Sequence, residues 1–316
     1  MSPGGAERVR RIVAMTSAVA GSTIAAVSLA GFFGSLWWVL DLTANFRPQQ
    51  AAILVVLGTV ALMGDQRVAA AILAVGLLDA AVVAPYVIGS VGSIVGDDRV
   101  EVMTFNVGVS NPNRADVAAF IAEEDPDVVF IFESSFEWED TIRSSDLPLQ
   151  IVAVVPRGRI AGVTVLVRPS LLPGVVEVQL GGEAAAVTLD LGDRRIDVLG
   201  IHPPSPTTAA RSDRRDRMMA AAAVWVRGRP GEVVVVGDLN ATPWSHGLRT
   251  LRRTGGLVDT MRGRGLQPSW PVGWGVLAIP IDHVLHTGGL ASEDRRTGPA
   301  FGSAHRPVMV TIGFAD

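Results

Sequence analysis

The sequence predicts an α/β domain preceded by a bundle of about three transmembrane helices. Three observations predict it. Of the 316 residues, 48% are hydrophobic and only 18% are charged, whereas an ordinary soluble domain has roughly 25% charged residues. The apolar excess sits at the front: between Ile12 and Gly96 the charged side chains are Asp41, Arg47, Asp65, Arg67 and Asp79. From Arg99 onward, short β-rich runs alternate with helical stretches and the mixture of residues is normal. This asymmetry is not that of a fully soluble or a disordered chain.

Residues 12–40 carry no charge, and a helix needs only about 20 apolar residues to cross the hydrocarbon core. Arg8, Arg10 and Arg11 ahead of this run would also suit a signal peptide. A signal's apolar region is only about 7 to 15 residues, however, and more apolar segments follow. Residues 48–64, bounded by Arg47 and Asp65, give a second span, and residues 68–96, interrupted by Asp79 and Pro85, a third. Short turns between three helices would let Asp79 face the bundle interior as a packing or hydrogen-bonding residue. Arginines before the first span put the N-terminus in the cytoplasm, and three crossings then leave residue 97 onward outside. The expected domains are 1–96, in the membrane, and 97–316.

In the second domain, strands are expected at 100–107, 128–132, 151–155, 163–167, 185–191, 196–201, 233–236, 281–285 and 307–312. Helices are expected at 114–124, 208–226 and 245–254. That is enough chain for one domain with its own core. The net charge of −4 supplies no strong field for nucleic acid, and every basic residue is Arg. Without cysteine there is no disulfide, thiolate metal site or cysteine nucleophile.

Polar residues end the apolar strands. Asn106 closes VMTFN, Glu133 closes VVFIFE, His202 closes DVLGIH, and Asp238 and Asn240 follow VVVVG. Ligands of open α/β sheets bind beyond the carboxyl ends of strands, so these ends suggest one cleft. In extended backbone Asp238 and Asn240, two apart, share a face; an Asx turn is the alternative. Further on, Asp282 interrupts the apolar IDHVL and His305 precedes the last strand in GSAHRP. A strand-buried Asp needs a partner, and His is a natural one because the carboxylate fixes its tautomer. His283 points to the other side of its strand and reads as structural.

TFNV, the Glu after VVFIF, GIHPP, GDLN, IDHV and SAHRP, in this order, resemble the endonuclease/exonuclease/phosphatase superfamily of metal-dependent phosphoesterases. The resemblance spans about residues 100–312, and TPWS and PSWP resemble its bacterial membrane-anchored branch. It implies a two-sheet β-sandwich flanked by helices, in four layers. It also implies that Asn106 and Glu133 hold a divalent cation, Glu133 directly, and that His202 contacts the scissile phosphate. Asp238 would orient or deprotonate the attacking water with Asn240 beside it, and Asp282 and His305 would be the paired acid and imidazole. Where the family usually has Ser-Asp-His, this chain has Ser303-Ala304-His305, which puts a second metal position in doubt.

Phosphoester cleavage requires an aligned water and neutralisation of charge on the phosphoryl oxygens. Mg²⁺ fits Glu133 and Asn106 because it keeps several waters and uses one or two carboxylates; Mn²⁺ can substitute. Zinc is disfavoured without a His or Cys cluster. The expected protein is a Mg²⁺-dependent phosphoesterase of the cell membrane, multi-pass, facing outward. Its partners would be the bilayer and a substrate drawn from nucleic acid, phospholipid headgroups or small phosphorylated molecules, with no obligate protein partner. Arg211, Arg214, Arg215 and Arg217 offer a basic stripe, but alternation with Asp213 and Asp216 reads as a solvated, salt-bridged face. The rival is a non-catalytic membrane-anchored binding module that keeps the fold. Ala304 favours it, and the other polar positions argue against it.

Overall fold

Long uncharged runs rich in Ala, Leu and Val fold as helices at the start of the chain. The computed structural model describes residues 3–89, 92–157, 161–171, 176–180 and 184–315. Helix α1 spans Pro3–Ala30, α2 Trp38–Ala44, α3 Arg47–Ala61 and α4 Gln66–Val87. Pro48 lies in the first turn of α3, where its missing N–H is no loss. These helices form one compact unit, Met1–Val87, which also takes in Trp244–His246. Within that unit the rings of Tyr86 and Trp244 meet edge-on, 5.7 Å between centroids.

Among the described residues two helical stretches, not three, are long and apolar enough to cross a membrane, Gly5–Phe33 and Gln66–Val87. The expected middle span, α3, has 15 residues, about 22 Å at 1.5 Å per residue, short of the roughly 30 Å hydrocarbon core. Arg47 is also not the polar flank the sequence suggested. It is buried and ion-paired with Asp79, its guanidinium 3.6 Å from the centre of the Phe32 ring. Ser28 donates to the other Asp79 oxygen at 2.6 Å. The apolar unit therefore buries its acid with a partner, since an uncompensated charge there would be strongly destabilising.

The second unit, Ile88–Pro243 with Gly247–Asp316, contains two six-stranded sheets. One holds β1 (Ile94–Asn106), β2 (Val128–Ser134), β3 (Gln150–Arg157), β4 (Ala161–Val167), β11 (Leu290–Thr297) and β12 (Val308–Ala315), in the order β11-β12-β1-β2-β4-β3. The other holds β5 (Val176–Gln179), β6 (Ala184–Asp190), β7 (Arg195–Ile201), β8 (Glu232–Asp238), β9 (Leu257–Asp259) and β10 (Asp282–Thr287), in the order β5-β6-β7-β8-β10-β9. Both are mixed: β1 runs parallel to β2 and β7 to β8, and the other pairings are antiparallel. Parallel neighbours need a crossover. Helix α5 (Arg114–Glu124) supplies it between β1 and β2, and α7 (Ala209–Arg227) between β7 and β8.

Alternation along the strands sorts the apolar residues into three layers of core. Val100, Val102, Val128, Phe130 and Phe132 meet Val198, Val234, Val236 and Val284 between the sheets. Met103, Phe105, Val129 and Ile131 pack on α5 and on α6 (Phe136–Ser144) through Val117, Ile121, Trp138 and Ile142. Leu199, Ile201, Val233 and Val235 lie under Met218 and Met219 of α7 and Leu248 and Leu251 of α8 (His246–Gly255). Both faces of each sheet are covered, which is why VVFIF and VVVV read as unbroken apolar runs. The expected sandwich between helical layers is what this unit forms.

Candidate active site

The two parallel pairs each bring two strand ends side by side, and those ends carry the polar residues. Asn106 ends β1, Glu133 lies one residue from the end of β2, His202 follows β7 and Asp238 ends β8. The pairing of β2 with β4 slips between Phe132 and Ser134, so Glu133 is a bulged residue, with φ of 57°. A bulge re-aims a side chain that simple alternation would send elsewhere. Gly237 has φ of 144°, and a Cβ there would lie 1.9 Å from the Ile201 carbonyl oxygen. Only glycine fits ahead of Asp238.

A hydrogen-bond network links the ends. The Asn106 amide donates to Glu133 Oε1 at 3.1 Å and Asp238 Oδ2 at 2.9 Å, while its oxygen accepts from the Gly108 N–H at 3.1 Å. Asp282 is directly opposite Asp238 in the register of β10 with β8. Two buried acids facing each other across strands would repel, and His305 resolves this. Its Nδ1 is 3.0 and 3.2 Å from the Asp282 oxygens and its Nε2 is 3.7 Å from Asp238. Ser303 donates to the Asn106 carbonyl at 2.7 Å and accepts the His305 N–H at 3.0 Å, tying the last loop to β1. His202 donates from Nδ1 to the Asp238 carbonyl at 3.1 Å, and its Nε2 is 3.4 Å from Glu133.

The charges follow from these neighbours. The hydrogen bond from His202, helped by Asn106 and the Val109 N–H against partial burial, holds the Glu133 carboxyl down at about 2. Burial, together with the charge of Asp282, pushes the Asp238 carboxyl up, against His305, His202 and Asn106. For His305, burial opposes the charged ring, but Asp282 and Asp238 outweigh it and raise the imidazole to about 9. His202 is raised in the same way: Glu133 and Asp238 overcome its burial. At neutral pH, Glu133 is thus ionised and 34% exposed, and an imidazolium stands between Asp238 and Asp282.

These groups open into a cleft of about 730 Å³ lined by Glu133, His202, Asp238, Asn240 and His305. Asn106 and Asp282 are each 1% exposed and brace the lining residues from behind. Asn240 is not in extended backbone beside Asp238. Its φ is 50°, its N–H donates to Asp238 Oδ1 at 2.9 Å and its amide to the Pro203 carbonyl at 3.0 Å. GDLN is the Asx turn, with the carboxylate tied to the turn itself. His283 is structural as expected: buried, with Nε2 donating to the Ala241 carbonyl at 2.9 Å. The basic stripe of α7 divides. Arg217 pairs with Asp213, and buried Arg215 binds Asp216 and the Asn240 carbonyl. Arg211 and Arg214 line the cleft with Trp270, three residues that sequence reasoning did not place there. Ser269 was also missed; it accepts the N–H groups of Ile281 and Asp282 at 3.2 and 3.1 Å.

The sequence profile of the Endonuclease/Exonuclease/phosphatase family matches residues 103–305, well over half of the chain. The chain belongs to the endonuclease/exonuclease/phosphatase family. Solved structures share the family fold. TDP2 of D. rerio, in complex with a single-strand DNA product, has a TM-score of 0.58 at 13% identity over 69% of this chain and 100% of that one. Truncated Caenorhabditis elegans TDP2 gives 0.56 at 17% over 69% and 98%. An endonuclease/exonuclease/phosphatase from Bacteroides vulgatus gives 0.55 at 15% over 69% and 100%. At these identities the likeness is one of fold. No curated protein matches the chain. The family segment takes in every site residue from Asn106 to His305, and α1 to α4 precede it.

Two groupings within the family site suit a cation differently. Ligand-capable atoms of Asp238, Asp282 and His305 lie within 4.8 Å of one another, a set that differs from the expected Asn106 and Glu133. There, however, the ring nitrogens face carboxylates, and a protonated imidazole is no ligand. Glu133 is ionised, partly exposed and held by the Asn106 amide, the character a hard cation needs. Asn106 turns its N–H toward Glu133, so in this arrangement it orients the carboxylate.

Proposed function

We propose that this chain is a membrane-anchored, divalent-metal-dependent phosphoesterase that hydrolyses phosphodiester or phosphomonoester bonds. One observation carries the reading: an ionised carboxylate, a carboxylate made more basic by burial, and two imidazoles with raised pKa values converge on one cleft. Mg²⁺ or Mn²⁺ at Glu133 would supply neutralisation of phosphoryl charge. Asp238 accepts the proton of the attacking water, since a raised pKa strengthens it as a base. Asn240 closes the turn that fixes Asp238. His202 and His305 present positive charge to the phosphoryl oxygens, and Asp282 holds the His305 ring in register. Anchoring rests on the two apolar stretches of the helical unit. Nucleic acid, phospholipid headgroups and small phosphoesters all remain within this chemistry.

The test uses the full chain in detergent, with bis(p-nitrophenyl) phosphate and p-nitrophenyl phosphate as substrates. Mg²⁺ or Mn²⁺ should support hydrolysis of at least one, and chelation should abolish it. Full activity in excess EDTA overturns the metal-dependent reading. Ala304, where the family usually has a carboxylate, favours one second reading, a binding module that keeps the fold. Metal binding without turnover of either substrate would support it.

A further inference from the structure

The proposed hydrolysis leaves a pair of buried titratable groups unused. His283 and Asp259 are 0% and 1% exposed and lie outside the set of residues that lines the cleft. His283 Nδ1 faces Asp259 Oδ2 at 3.5 Å, and neither atom has a hydrogen bond among the described residues. Two such groups are costly to bury unless they answer one another. Burial would raise the Asp259 carboxyl, but the His283 ring, with the charges of Arg252 and Arg295, holds it below the usual carboxylate range. The other Asp259 oxygen accepts the Met261 N–H at 3.0 Å, which fixes the carboxylate, and the carboxylate orients the ring.

The ring then donates from Nε2 to the carbonyl of Ala241, the residue that follows GDLN. Within that turn Asn240 has φ of 50°, a left-handed conformation that a residue other than glycine keeps only where its surroundings hold it. Three contacts from outside hold the turn: the Leu239 N–H donates to the Ile281 carbonyl at 2.9 Å, buried Arg215 donates to the Asn240 carbonyl at 3.3 Å, and His283 donates to the Ala241 carbonyl at 2.9 Å. Ile281 and His283 flank Asp282, whose side chain meets His305. Side chains alternate along a strand, so β10 sets both halves of the site, Asp282 toward His305 and His283 toward the turn that bears Asp238 and Asn240.

We propose that His283, oriented by Asp259, is a positioning residue: through the Ala241 carbonyl it clamps the GDLN turn so that Asp238 and Asn240 keep their places in the cleft. The effect on rate rests on the hydrolase reading, and the effect on the turn rests on geometry alone.

The test uses the full chain in detergent, with two readouts: hydrolysis of the two nitrophenyl substrates in Mg²⁺, and hydrogen exchange of the Asn240 amide, which donates to Asp238 Oδ1. Two variants separate the ring nitrogens. Asn places its amide nitrogen near that of Nδ1 and keeps the contact with Asp259, whereas Gln reaches the place of Nε2 and keeps the donation to Ala241. His283→Asn should lower kcat by about 10-fold or more with KM unchanged, and His283→Gln should keep most of the rate. The Asn240 amide should exchange about 10-fold faster in His283→Asn, as one lost hydrogen bond provides, and at the wild-type rate in His283→Gln, with the amides of β8 unchanged in both. Asp259→Asn should fall between the two, and a wild-type rate there would remove Asp259 from the proposal. Loss of folded protein in both His283 variants, or an unchanged kcat in the folded fraction of His283→Asn, overturns the positioning role, because His283 would then serve stability alone. Equal losses of rate in the two variants also overturn it, because the bond to Ala241 would then not be what matters. If the wild type turns over neither substrate, the hydrolase reading falls, and exchange at Asn240 still supports or overturns the clamp. Wild-type turnover that His283→Asn leaves unmoved overturns the clamp and leaves the hydrolase reading standing.

Discussion

His305 carries the charge that lets Asp238 and Asp282 face each other across two strands. Burial works against that charge, but the two acids more than offset it, so the folded-state value of about 9 lies above the ordinary 6.5. The stabilisation is therefore fully present below about pH 6.5 and is lost as pH rises through about 9. Urea unfolding of the wild type should show a midpoint that falls between pH 7 and 10, and His305→Gln should flatten that fall. A slope unchanged in the variant would mean that another group titrates. The same pair should act as one unit in catalysis: Asp282→Asn, His305→Ala and the double variant should leave similar residual rates. Multiplying losses would show the two acting separately. Glu133→Gln should raise the Mg²⁺ needed for half-maximal rate by more than about 10-fold, since even an outer partner of a metal ligand is worth about 10- to 100-fold. These residues were legible because a polar group at the end of an apolar run stands out. Arg211 and Arg214 were not, because the face they occupy depends on how Met218, Met219 and Ala222 seat α7 on its sheet, and alternating charges conceal that rotation.

Elements were legible where both faces of a strand are buried or a helix carries a wide apolar stripe. β2 and β8 showed as VVFIF and VVVV. β11 did not: its SEDRR core mixes buried, half-buried and exposed side chains without a period of two, at a sheet edge, and Arg295 is buried only because Thr260, Gln267 and the Asp282 carbonyl receive it. α6 hides likewise, since Trp138 and Ile142 are its only buried residues. Backbone constraints give sharper expectations than hydropathy. Gly237→Ala must displace the Ile201 carbonyl and should cost about 2 kcal/mol or more by chemical denaturation. Thr208→Ala removes the hydroxyl that caps α7 by accepting the Arg211 N–H at 3.2 Å, and should cost about 1 kcal/mol. In the helical unit, Arg47→Met strands Asp79 and should cost about 3–5 kcal/mol, while replacing both with apolar residues should recover most of it.

At the scale of the molecule, the number of crossings decides where the cleft lies. The outward placement expected from the sequence required three spans, whereas among the described residues two helices, Gly5–Phe33 and Gln66–Val87, are long and apolar enough to cross, and two crossings would return the chain to the side of its N-terminus. A reporter active only outside the cytoplasm, fused after Asp316, should be silent if these two alone cross and active if α3 crosses as well. The pattern of charges could not resolve this, because Arg47 and Asp65 mark the ends of an apolar run without showing that Arg47 is turned inward onto Asp79. A different consequence follows from Trp244, only 1% exposed and seated against Tyr86. The helical unit borrows this tryptophan from inside the family segment, six positions beyond Asp238. Trimming the chain to begin at residue 97, the obvious route to a handy soluble enzyme, would discard Tyr86 and leave an indole with no lid. Such a fragment would expose that indole and be sticky in a way its sequence does not advertise.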